Sequence, residues 1–138
     1  MIEPIDGKLV LYDNPLGTFT NSPTFDWHMT NLRNYIALNP RDVPPVKIDG
    51  ETFQSFGMGD GMLGLPGDYT PPSRFVRAAV FSQTALKAPN SEKGVFTGFH
   101  LLNNFDIPVG AVRAKENGQS AADQTLLTTM REPQNLRL

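Results

Sequence analysis

The 138 residues include no cysteine. That absence excludes disulfides, a Cys-ligated zinc and a thiol nucleophile carried by the chain itself, and it leaves the redox compartment open. Histidine is nearly as scarce. His28 and His100 are the two present, and neither has another histidine or a carboxylate at the i, i+4 spacing of a helical zinc site, so no metal and no other cofactor is expected. No apolar run approaches the roughly 20 residues that cross a bilayer, and residues 1–7 lack the basic-then-apolar order of a signal peptide. A soluble chain is the expectation, with cytoplasm and periplasm both open. An excess of one charge is missing too: 12 basic and 14 acidic side chains leave a formal charge of -2 spread along the sequence. Nucleic acid and membrane surfaces are therefore not expected as partners.

What is present suffices for one globular domain, since 39% hydrophobic residues over this length can bury a core. Residues 8–12 form an apolar, partly β-branched run that predicts a strand buried on both faces. Asn14-Pro15-Leu16-Gly17 carries type I turn residues, which predicts a hairpin whose return strand covers 17–21 and ends at Asn21. A helix is expected over 23–38, with Phe25, Trp27, His28, Leu32, Tyr35 and Ile36 on its buried side. Residues 39–68 read as a long irregular excursion with one short strand-like piece at 52–56, and the apolar 57–67 stretch as a folded loop. Helices follow over about 71–86, capped by Thr70, and about 92–104. Residues 109–122 read as loop and 125–130 as a last strand. The order predicts an α+β fold, helices against a largely antiparallel sheet.

Few side chains suggest chemistry. The glycine-rich 57–67 loop lacks the Gly-Lys-Ser/Thr ending of a phosphate-binding loop, so its glycines are read as permitting positive φ and close backbone approach. Asn21 at a strand end is either a turn residue or a carboxamide able to donate N–H to a developing oxyanion. Arg74 stands in the first turn of a helix, the end that disfavours a cation by roughly 0.3 to 1 kcal/mol. A nearby anion would offset this. Asp68 or Asp60 is one candidate, a substrate or a thiolate the other.

Three long blocks carry a resemblance: Leu11-Tyr12-Asp13-Asn14-Pro15-Leu16-Gly17, Thr20-Asn21-Ser22-Pro23-Thr24-Phe25-Asp26-Trp27-His28, and Gly64-Leu65-Pro66-Gly67-Asp68-Tyr69-Thr70-Pro71-Pro72-Ser73-Arg74-Phe75-Val76-Arg77. Together with Phe99-His100-Leu101-Leu102-Asn103-Asn104 and Gly110-Ala111-Val112-Arg113, they resemble choloylglycine hydrolases, the group of conjugated bile acid hydrolases and penicillin V acylases. The resemblance implies part of a four-layer αββα N-terminal-nucleophile hydrolase sandwich, with this chain as the C-terminal portion of the domain. The N-terminal half and the last strands would lie outside it, so Met1 is either a native start or a boundary within a longer frame.

The implied enzyme uses an N-terminal cysteine against a linear, non-peptide amide, its own α-amino group shuttling the proton before water releases the acyl group. Asn21 matches the family asparagine that helps bind the oxyanion, and Arg74 the family arginine beside the nucleophile. Without its nucleophile the chain is expected to be inactive alone, and to act on a small-molecule amide when completed: conjugated bile acids, penicillin V or N-acyl homoserine lactones. The alternative is a non-catalytic remnant or interaction subunit whose exposed sheet edge seeks a second copy or a complementary chain. A third reading, a small-ligand module, has Arg74 hold a carboxylate.

Overall fold

The computed structural model describes residues 1–116 and 118–133 and divides the chain into two compact units, Met1–Thr84 and Ala85–Leu138. In the first unit, strands β1 (Ile2–Ile5) and β2 (Lys8–Leu11) pair antiparallel, with Ile2 opposite Leu11 and Ile5 opposite Lys8. Asp6 and Gly7 turn the hairpin at φ 49° and 75°, the left-handed pair that matches strand twist in a two-residue connection. The strand expected at 8–12 is thus present, but its partner precedes it. It is also not buried on both faces: Leu9 and Leu11 are 71% and 75% exposed.

The turn at Asn14 forms, with the Gly17 amide donating to the Asn14 carbonyl at 3.3 Å, yet no strand follows. Asn14 Nδ2 takes the Thr18 carbonyl at 3.0 Å, and the buried Thr18 hydroxyl lies 3.3 Å from the Leu16 carbonyl. These polar groups serve the turn itself rather than a ladder. Asn21 consequently sits in an irregular segment, not at the end of a strand.

Helix α1 (Phe25–Asn31) is shorter than the 23–38 expected and continues as a 3-10 turn, Leu32–Tyr35. Its first amide is capped from another element, since Phe25 N–H donates to the Glu3 carboxylate of β1 at 3.0 Å. Asn31 Oδ1 accepts from Asn34 Nδ2 at 3.3 Å where the helix gives out, the side-chain competition that makes asparagine a poor helix interior residue. Of the expected buried side, Phe25 and His28 are buried, while Trp27 and Ile36 face outward.

Helix α2 (Pro71–Thr84) matches expectation closely. Phe25, Phe75 and Ala79 form the core, with Tyr12, Leu16, Met29 and Leu32 packed around them. Phe25 meets Phe75 edge-on at 6.1 Å and Tyr12 at 5.6 Å, arrangements that aromatic quadrupoles favour. Between the helices, the excursion contains a second hairpin, β3 (Val46–Ile48) with β4 (Glu51–Phe53), of which only the second strand overlaps the piece expected at 52–56. The 57–67 stretch is folded as expected. Asn39 N–H donates to the Gly61 carbonyl at 2.8 Å, and Asp42 and Asp60 accept from the Gly59 and Val43 amides. Gly59 stands at φ 97°, and a side chain at Gly61 would run into the Asn39 and Arg41 carbonyls.

In the second unit, α3 (Ser91–Leu102) is capped by Asn90, whose Oδ1 accepts the Lys93 amide at 3.0 Å, and leads into a 3-10 turn, Asn103–Phe105. Residues 109–122 correct the expectation of a loop: β5 (Val112–Glu116) and β6 (Gln119–Asp123) pair antiparallel there. Residues 125–130 are not a strand. Thr125 instead binds Ile107 through both its amide and its hydroxyl, and Leu126 and Leu127 are exposed. The fold is α+β as expected, its described strands being three separate antiparallel hairpins.

Candidate active site

Asp68 organises the entry to α2. Its carboxylate accepts from the Ser73 hydroxyl at 2.6 Å, from the Thr70 hydroxyl, and from the Thr70 amide at 2.9 Å. These donors, Ser73 first, hold the Asp68 pKa down at about 2. Thr70 was the expected cap, but its hydroxyl donates to Asp68 rather than accepting from the helix. The acid is therefore committed to the helix start and is not the counterion of Arg74. Asp60 is not that counterion either, its carboxylate accepting from the Val43 amide at 3.0 Å.

Arg74 reaches elsewhere. Its Nε donates to the Tyr69 carbonyl at 3.1 Å and its Nη2 to Asn21 Oδ1 at 2.7 Å, joining across 53 positions the two residues singled out in the sequence. Thr20 donates to the same oxygen at 3.3 Å. A guanidinium has donors only, so it fixes which end of the carboxamide it meets: the oxygen faces Arg74 and the NH2 points away. Asn21 is exposed, and that NH2 is open to an acceptor.

Two further residues were not singled out as site components. Arg77, one helical turn beyond Arg74, is 5% exposed, and its Nη1 donates to the Pro66 carbonyl at 2.8 Å and the Asp68 carbonyl at 2.7 Å. Burial lowers its pKa, the Asp68 charge opposes this, and Arg74 adds to it. Its i, i+3 spacing from Arg74 in an otherwise apolar helix face was the available signal. His28 is packed as the core histidine expected, stacked 4.7 Å from the Phe75 ring, and burial lowers its pKa. His100 is exposed. Among the described residues no set of three His, Cys, Asp or Glu could hold a metal ion.

The first unit also carries an apolar groove of about 230 Å³ lined by Leu16, Leu32, Ile36, Leu38 and Val80 among others. It is distinct from the residues that hold Arg74.

Residues 1–135 match the family described as linear amide C–N hydrolases, choloylglycine hydrolase family. A bile salt hydrolase/transferase of Clostridium perfringens is 38% identical over 125 residues, covering 91% of this chain and 38% of that protein. A conjugated bile acid hydrolase of Lactobacillus acidophilus is 37% identical over 118 residues, covering 86% and 36%. In structure, a variant of the conjugated bile acid hydrolase from Clostridium perfringens aligns with a TM-score of 0.73 at 35% identity, over 88% of this chain and 36% of that one. The chain spans less than half the length of these relatives.

Proposed function

Since the chain belongs to the choloylglycine hydrolase family of linear amide C–N hydrolases, we propose that it supplies the Asn21–Arg74 part of a cysteine amidase site whose nucleophile comes from a polypeptide segment outside these residues. The bond from Arg74 to Asn21 carries this reading. By holding the carboxamide oxygen, Arg74 leaves the Asn21 NH2 to donate to the oxyanion that develops when a thiolate attacks an amide carbonyl. A preorganised donor of this kind contributes roughly 3 to 4 kcal/mol to the transition state. The guanidinium adds a fixed positive charge that favours both thiolate and oxyanion. The substrate class is a linear non-peptide amide: conjugated bile acids, penicillin V or N-acyl homoserine lactones.

The chain alone is expected to hydrolyse none of these, and mixing it with the Cys-led segment of a full-length relative is expected to generate turnover. In the reassembled enzyme, Asn21→Ala should lower kcat by roughly 10²- to 10³-fold with KM little changed. Turnover by the pure chain, or an Asn21→Ala assembly with undiminished kcat, would overturn this assignment. The exposed apolar side chains Ile2, Leu9 and Leu11 favour a second reading, an interaction subunit on the same scaffold, and they equally suit association with a complementary chain.

A further inference from the structure

The carbonyls of Pro66, Asp68 and Tyr69 form a short cradle filled by two guanidinium groups. Arg77, buried, takes the Pro66 and Asp68 carbonyls through Nη1, and Arg74 takes the Tyr69 carbonyl between them and the helix through Nε. The same four-residue segment thus holds both cations, and Arg74 is free to aim only its remaining nitrogens at Asn21. The helix dipole disfavours a cation in the first turn, where Arg74 stands, and two cations three residues apart repel each other.

We propose that Arg77 is a positioning residue for the site: it pins the Pro66 and Asp68 carbonyls so that the adjoining Tyr69 carbonyl fixes the Arg74 guanidinium, which in turn orients the Asn21 carboxamide. The assignment rests on the reading of Asn21 and Arg74 as site residues, but its geometry is measurable without turnover. A neutral replacement removes both carbonyl contacts of the Nη1 nitrogen. Arg77→Met keeps much of the aliphatic stem while leaving those carbonyls without that donor, and Arg77→Lys restores a charged donor on a shorter reach.

The experiment follows the Arg74 Nε–H resonance of the 138-residue chain by ¹⁵N NMR, assigned by its disappearance in Arg74→Lys. In the unsubstituted chain a resolved, exchange-protected signal is expected. Arg77→Met should lose it or speed its solvent exchange roughly tenfold or more, the factor associated with losing one charge-assisted hydrogen bond, and Arg77→Lys should recover part of the protection. Phe75→Leu serves as the comparison, since it loosens the core without touching the cradle, and its folded fraction should keep the signal. The proposal fails if the unsubstituted chain shows no protected Arg74 signal, if Arg77→Met leaves protection unchanged, or if Phe75→Leu abolishes it equally. A failed amide hydrolysis assay in the reassembled enzyme would sink the proposed function and leave this geometry standing.

Discussion

Asp68, Asn21 and Arg74 show how far single residues disclose themselves. The peculiarity of Arg74, a cation at the wrong end of a helix, was visible in the sequence, and its partner was not. Nearby acids were the natural candidates, but Asp68 is consumed by hydroxyls at the helix start and the true partner lies 53 positions away in an irregular segment. Local spacing cannot reveal such a pairing. The depressed Asp68 pKa yields a pH prediction. Its folded value is about 2, below the 3.8 of an unperturbed aspartate, so its contribution is present above pH 3.8 and is lost as pH falls toward 2. Because the residue is exposed and screened by solvent, that contribution is at most about 1 kcal/mol. Thermal melts of Asp68→Asn should therefore show a small deficit against the unsubstituted chain at pH 6 that vanishes near pH 2. A deficit independent of pH would remove the charge from the explanation.

Elements were legible where periodicity is long. The 14-residue α2 and the 12-residue α3 fall close to where apolar spacing and flanking prolines put them. Short hairpins were not, because two strands of three to five residues give little alternation, and the signal lies in the turn: Asp6-Gly7 and Asp49-Gly50 are both hairpin dipeptides. Reading residues 17–21 and 125–130 as strands failed for the opposite reason, since β-forming composition there serves turns and side-chain pairing. The excursion before α2 was legible in its glycines. Gly61→Ala would drive a methyl group into the Asn39 and Arg41 carbonyls, so a loss of about 1 to 3 kcal/mol in urea unfolding is expected. Gly57→Ala, with open space around it, should cost far less. Equal effects at the two positions would contradict the close-approach explanation.

For the chain as a whole, the β1–β2 hairpin is patterned outside in. Ile2, Pro4, Leu9 and Leu11 share one face by register and are exposed, while Glu3, Ile5 and Val10 on the other are half-buried. A single globular domain would ordinarily turn the first set inward. Sedimentation equilibrium is expected to show concentration-dependent association of the chain, and Leu9→Lys with Leu11→Lys to shift it toward monomer while leaving Tm within about 2 °C, because neither side chain is in the core. A monomer at every concentration would count against this face as an interface.

The Arg74–Asn21 bond also has a cost in chain entropy. Closing a flexible loop of 53 residues costs on the order of 3 to 4 kcal/mol in chain entropy, more than one exposed hydrogen bond returns. Phe25 and Phe75 close a loop of nearly the same length, so the aromatic contact and the polar one share that cost, and burial of the rings supplies most of what offsets it. Any capacity of this chain to complete a site therefore depends on its aromatic core, which holds the two ends of that bond together.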